Sequence, residues 1–226
     1  MRTRLREEFA QGGRIPGEVE LANQFGVSRG TVRQALSMLE REGAILRRQG
    51  DGTYANHYVL RIAARVENAY EFMELIRETG FDAELEVVGI EWAEATEDEA
   101  DRLKVEAGDL LLVVSKVFCA DGSPAIYCVD KLPTSLILES YEADELANPI
   151  FDFMERRCHI RVDYMLSQIV PRVAVAEIAE RLELEPGTPG LEFVETSYSD
   201  ANEPVLVSNI FYSDSLIRFA VFRKKV

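Results

Sequence analysis

The stretch Phe25-Gly-Val-Ser-Arg-Gly-Thr-Val-Arg-Gln-Ala-Leu-Ser-Met-Leu39 sets the architecture of the chain's head. Gly26-Val27 reads as a tight turn and Ser28 as a helix N-cap, because a serine hydroxyl accepts from the free N–H groups at a helix start. Val32, Ala35, Leu36 and Leu39 then recur at the i, i+3, i+4, i+7 spacing of one buried stripe, and Gly43 suits the helix end. Upstream, Glu18–Phe25 reads as a second helix with Leu21, Ala22 and Phe25 on one face, led in by Pro16-Gly17. Arg2–Gln11 reads as a further short helix ended by Gly12-Gly13. Downstream, Ala44–Arg48 and Thr53–Ala55 are two short strands around the hairpin turn Gln49-Gly50-Asp51-Gly52. Two helices joined by a tight turn, the second with a single buried stripe, describe a helix-turn-helix, and the hairpin supplies a wing.

Removing the buried positions from the second of these helices shows what is left for a partner. Its first turn offers Ser28, Arg29, Gly30 and Thr31, and its solvent side continues with Arg33, Gln34 and Ser37. Arginine forks onto guanine, glutamine onto adenine, and hydroxyls and free helix N–H groups suit phosphate oxygens. Gly30 would let the helix backbone lie close to a duplex, and the wing adds Arg47, Arg48 and Gln49, with Gly50 and Gly52 permitting close approach to the minor groove or its phosphates. Charge is distributed accordingly. The whole chain carries a net −15, yet up to Arg61 there are 10 Lys+Arg against 7 Asp+Glu, a balance of +3. The remainder holds 15 against 33, a balance of −18, so a basic head sits on a strongly acidic body that phosphates repel. Two other readings of the head stay open on these residues: a helical domain whose cations are simply solvated, and an adaptor that contacts only protein.

Asn56 to about Glu67 is polar and weakly patterned and reads as a linker between domains at 1–55 and 68–226. Beyond it, helices are expected at Asn68–Thr79 (Phe72, Met73 and Ile76 inward), after Thr96, at Pro149–Arg157 and at Val173–Leu182. Thr96 and Glu99 have the spacing of a capping box. Strands are expected at Ala83–Trp92, Asp109–Phe118, Ala125–Leu132, Ile160–Val170, Leu191–Ser199, Pro204–Tyr212 and Leu216–Arg223. Hairpin turns dominate the connections, so the body is α+β with a mixed, mainly antiparallel sheet. Apolar runs are of strand length, and no basic-then-apolar leader opens the chain. Cys119, Cys128 and Cys158 show no CxxC spacing, which suits a reducing cytoplasm and argues against a disulfide framework or zinc site. Only His57 and His159 are present, so neither a histidine metal centre nor another cofactor is expected. An enzyme is the rival class for the body. No Ser/His/Asp set, phosphate loop or HExxH motif supports it, and Cys158-His159, adjacent on an extended strand, would point apart.

At this point the head resembles a known family. Arg14-Ile-Pro-Gly-Glu18, Leu21-Ala22, Phe25-Gly-Val-Ser-Arg29, Thr31-Val-Arg33, Ala35-Leu36, Leu39, Glu42-Gly43 and Arg48-Gln-Gly-Asp-Gly-Thr53 match the GntR-family winged helix-turn-helix across residues 1–55. The resemblance implies DNA contacts from Ser28, Arg29, Thr31 and Arg33, with the Gln49–Gly52 turn entering the minor groove. It departs at Gly17, where the family usually has serine, and at Val19, where it usually has a polar residue able to reach DNA. Relatives also carry more residues before the first helix, so Met1 is expected to be a late start. From about Ala69 the chain resembles the UTRA effector-binding domain of the HutC subfamily. That resemblance rests on Ala120-Asp-Gly-Ser-Pro124, Lys131-Leu-Pro133, Ala176–Leu182, Pro186-Gly-Thr-Pro189, Glu203-Pro-Val205, Ser208 and Phe211-Tyr212. It implies a chorismate-lyase-like fold, a homodimer on an inverted-repeat operator and an effector pocket in each subunit.

The departures speak to the effector. Sugar-phosphate-binding relatives place arginines where this chain has Lys116 and Phe118, and glutamates where it has Cys128 and Leu206. A dianionic phosphate without a matching fork loses much of its binding energy. The expected effector is therefore partly apolar, with one anionic group met by Lys116 or Arg172, and with Tyr127, Tyr164, Ser167, Ser208 and Tyr212 as polar contacts. Phe118 and Leu206 read equally well as strand residues of the core.

Overall fold

A serine hydroxyl opens the longest helix of the head: Thr31 N–H donates to Ser28 Oγ at 3.1 Å. The computed structural model that shows this describes residues 12–62, 64–66, 71–213 and 217–223; the expected first helix lies outside them. In chain order the head comprises β1 (Gly13–Arg14), α1 (Glu18–Phe25), α2 (Arg29–Arg41), β2 (Ile45–Arg48), β3 (Gly52–Ala55), α3 (His57–Leu60) and β4 (Ala64–Arg65). Gly26, at φ +64°, takes the left-handed conformation that ends α1 and permits the tight turn into α2. The apolar stripe of α2 (Val32, Leu36, Leu39) packs with Leu21 and Ala22 of α1 and with Ile15, Ile45, Ala55 and Leu60 in one core. A three-stranded antiparallel sheet in the order β1-β3-β2 forms the wing.

The segment read as a linker is structured in part. His57–Leu60 is a helical turn whose Val59 and Leu60 are buried, and Ala64–Arg65 pairs in parallel with β11 (Phe219–Ala220). Of the strand expected at Leu216–Arg223, Leu216 lies outside the described residues and the rest contains only β11, which is no part of the large sheet. Packing divides the chain into Met1–Asn68 with Phe219–Val226, and Ala69–Arg218. A four-residue helix and a pair of two-residue strands are too short to show periodicity, which is why the sequence pattern does not reveal them.

The second unit contains α4 (Phe72–Glu78), β5 (Ala83–Glu94), α5 (Glu97–Leu103), β6 (Leu110–Ala120), β7 (Ser123–Pro133), α6 (Ile150–Phe153, extended by a wider turn to Cys158), β8 (Val162–Val173), α7 (Ala176–Arg181), β9 (Pro189–Ser199) and β10 (Pro204–Ser213). Short 3-10 turns lie at Thr134–Leu136 and Ala143–Ala147. The expected helix at Val173–Leu182 begins later, because Val173 still pairs with Pro189 in the sheet. In α4 the fully buried residues are Leu75 and Ile76, with Phe72 and Met73 half-buried. The capping box forms as expected: Glu99 N–H donates to Thr96 Oγ1, and Thr96 N–H to Glu99. Six antiparallel strands form one sheet in the order β5-β6-β7-β10-β9-β8.

Alternation of side chains along each strand gives this sheet two faces with different cover. On one, Leu112, Val114, Leu132 and Leu206 pack under Leu146, Ile150, Phe153 and Met154, while Phe72 of α4 meets Phe118 at 4.8 Å between ring centres. On the other, α5 covers Leu111, Val113 and Val207, and α7 covers Val117, Tyr127 and Phe211. No helix among the described residues is long and apolar enough to cross a membrane.

Candidate functional site

The solvent face of α2 lies outside the core of the head. Ser28, Arg29, Gly30, Thr31, Arg33 and Gln34 are all exposed, whereas Val32 and Leu36 between and beyond them are buried. Gly30 is informative here. A methyl group at its Cα would meet only Ser28 Oγ, at an ordinary 3.5 Å, so nothing inside the head requires glycine. Glycine within a helix costs up to roughly 1 kcal/mol relative to alanine, less in the first turn where Gly30 stands. A missing side chain with no internal cause is what a closely approaching partner would need.

Arg33 is exposed but not idle. Its Nε and Nη2 fork onto Glu18 in the first turn of α1 at 3.0–3.3 Å. The hydrogen bond from Arg33 holds the Glu18 carboxyl below its ordinary range. An exposed pair of this kind adds little stability but fixes where the guanidinium points. The sequence pattern does not reveal the pairing, since the partners lie fifteen residues apart. Val19, where a polar residue is usual, is 52 % exposed and leaves an apolar spot beside this pair.

In the wing, Arg47, Arg48, Gln49 and Gly50 are exposed. Arg48 lies over the Tyr54 ring at 4.5 Å, and Tyr54 O–H donates to Asp51 at 3.0 Å. Gly52, at φ +116°, leaves room for Arg14, whose Nε lies 2.7 Å from where a Cβ would sit. The hairpin tip is thereby held by its own aromatic and ionic contacts.

In the second unit, register lines up residues from neighbouring strands. Asp130 of β7, Ser208 of β10, Glu195 of β9 and Ser167 of β8 form one polar rung across four strands. The next rung carries Lys116 opposite Cys128, then Ile210 and Phe193. Beyond it lie Phe118 and Tyr212, both opposite Ile126. Leu206 pairs with Ser197 on the far side of the polar rung. Seven expected contacts (Lys116, Phe118, Cys128, Ser167, Leu206, Ser208 and Tyr212) thus share one sheet face. Ser208 Oγ donates to Asp130 Oδ1 at 2.7 Å, and the Cys128 thiol donates to the same oxygen at 3.4 Å. Lys116 is 1 % exposed; its Nζ donates to the Asn148 carbonyl at 2.6 Å, and burial lowers its pKa. Burial raises Asp130, Glu195 and Tyr212. Asp130, Glu195 and Ser197 belong to this cluster although the sequence reading did not single them out.

The other three expected contacts are not brought there. Tyr127 alternates with Cys128 and faces away, where its hydroxyl donates to Glu177 at 3.0 Å. Arg172 pairs with Glu192 at 2.8 Å. Tyr164 stacks on Tyr198 and hydrogen-bonds Asn202. On that opposite face a cavity of about 310 Å³ is lined by Tyr127, Glu177, Glu91, Lys131, Glu192 and Asn209, among others. The three thiols are free; burial lifts Cys128 and Cys158, the latter to about 11, so both are poor nucleophiles. His159 turns to Glu139 at 3.0 Å rather than to Cys158.

Residues 1–55 match the bacterial regulatory proteins of the gntR family, and residues 78–218 match the UTRA domain. The HTH-type transcriptional repressor NagR of Bacillus subtilis (strain 168) is 29 % identical over 184 residues, covering 81 % of this chain and 74 % of NagR. The crystal structure of YydK from Bacillus subtilis superposes with a TM-score of 0.76 at 21 % identity, over 98 % of this chain and 95 % of that one. PhnF from Mycobacterium smegmatis superposes at 0.63 with 23 % identity, over 99 % and 98 %. The chain belongs to the gntR family of bacterial regulatory proteins, in the group that joins a DNA-binding head to a UTRA effector-binding domain, and it is a transcription regulator rather than an enzyme.

Proposed function

We propose that the protein is a cytoplasmic homodimeric repressor that seats two copies of α2 in successive major grooves of an inverted-repeat operator. Ser28, Arg29, Gly30, Thr31 and Arg33 are the groove contacts. Arg48, Gln49, Gly50 and Gly52 bring the wing to the minor groove and its phosphates. A small-molecule effector sits on the sheet face that carries Lys116, Phe118, Cys128, Ser208 and Tyr212. It changes operator affinity by binding the DNA-competent and incompetent states unequally. The observation that carries the reading is the exposed face from Ser28 to Arg33 on a helix whose opposite stripe is buried.

Selection from a pool of randomised duplexes tests it. The full-length protein is expected to enrich sequences sharing one inverted repeat, with half-sites about one helical turn apart, or a multiple of that. Enrichment of unrelated sequences, or of none over the starting pool, would remove the proposal.

A further inference from the structure

We propose that the effector held by this sheet face is an organic cation, an amine on an aromatic or otherwise apolar body. The inference rests on the reading that the effector binds there, and it reverses the sign of charge that Lys116 suggests in the sequence alone.

The first observation is the balance of charge. Asp130 and Glu195 flank Ser208 from the two neighbouring strands. Among the described residues of the second unit, Lys116 is the only buried cation, and its ammonium is already engaged by the Asn148 carbonyl. An anion entering here would face two carboxyls and no guanidinium fork. A cation would find two acceptors roughly 10 Å apart across two strand spacings. Burial raises both carboxyls, and a bound positive charge would favour their ionised form, an electrostatic gain that a neutral ligand cannot supply.

The second observation is independent of charge. Ser197 Oγ is buried, 1 % exposed, and has no hydrogen-bond partner. It stands on the same face as Glu195, one pleat along β9. A buried hydroxyl left unsatisfied costs on the order of a lost hydrogen bond, and a ligand N–H or O–H would satisfy it. The third is the aromatic surround. Phe72 meets Phe118 edge-on at 4.8 Å, and Phe193 meets Tyr212 at 4.9 Å. Ring faces attract ammonium groups, and the rings also suit the apolar remainder of such a ligand.

Thermal melting of the full-length protein near neutral pH, with three probes of matched size, tests this. The probes are 2-phenylethylamine (cationic), 3-phenylpropanoate (anionic) and 3-phenylpropan-1-ol (neutral). At ten times its dissociation constant the amine is expected to raise the melting midpoint by roughly 3 °C or more, while the anion does not. Glu195→Gln is expected to abolish the shift, and Glu177→Gln, on the opposite face, to keep it. Should Glu195→Gln fail to fold, Ser197→Ala removes no internal hydrogen bond and is expected to shrink the shift. Stabilisation by the propanoate that Glu195→Gln or Ser197→Ala weakens would overturn the cationic class and leave the effector site standing. An amine shift lost in Glu177→Gln and kept in Glu195→Gln would overturn the site itself. No shift with any probe at millimolar concentration would overturn the inference.

Discussion

Arg29→Ala and Arg33→Ala are each expected to weaken operator binding by roughly 10- to 100-fold, while the thermal midpoint of the free protein stays nearly unchanged. Both side chains are exposed, so truncation removes little packing. Their value arises only against a duplex, where a bidentate fork onto a base edge discriminates strongly. Arg33 needs a control because it also pairs with Glu18. If its only role were that pairing, Glu18→Gln would reproduce the defect. A DNA contact predicts divergence instead: Glu18→Gln frees the fork and removes a negative charge near the phosphates, so binding should hold or tighten. Gly30→Ala belongs to the same test with opposite signs. The head should become slightly more stable, since the added methyl meets only Ser28 Oγ at 3.5 Å, while operator affinity falls because the methyl occupies the space of approach. Fluorescence anisotropy with a labelled operator, alongside thermal melting, reads both quantities.

Lys116→Met is expected to destabilise the second unit by about 1–3 kcal/mol at neutral pH, the charge lost beside Asp130 being partly offset by relief of the burial that lowers the ammonium's own pKa. Methionine fills nearly the same space, so a cavity does not explain the loss. What disappears is the positive charge that offsets the burial of Asp130, which is 4 % exposed and whose pKa burial already raises. Removing Lys116 raises it further. The sign of the pH dependence follows: a carboxyl with a raised folded-state pKa holds its proton better folded than unfolded. Its penalty is absent below the ordinary carboxylate range, grows as pH rises towards the folded-state pKa, and is constant above it. The gap between variant and wild type should therefore narrow on acidification. Adding Asp130→Asn should recover part of the loss at neutral pH. Urea denaturation across a pH series checks both, and a gap independent of pH would show that Lys116 acts by packing alone.

What could be read from the sequence follows from the range over which each signal acts. The stripe of α2, the Ser28 cap, the Thr96–Glu99 box and most strands are local patterns, and each appears in the structure close to its expected limits. The pairings β1–β3 and β4–β11 join very short, distant segments and have no local signature. The same distinction governs the effector face. Period-two alternation from Cys128 already places Asp130 on its side and Tyr127 on the other, so that part was legible. Glu195 and Ser197 required the register between β9 and β10, which no single strand encodes. The Glu18–Arg33 fork likewise depends on the packing of α1 against α2.

Titration of the selected operator and of a scrambled duplex over a range of KCl concentrations tests most directly whether the exposed face of α2 reads DNA. The expected result is a preference for the operator on the order of 1,000-fold or more. Affinity for both duplexes should fall log-linearly as salt rises, and the preference should shrink in Arg29→Ala. Equal affinity for the two duplexes, or operator binding indifferent to both salt and Arg29→Ala, would contradict it.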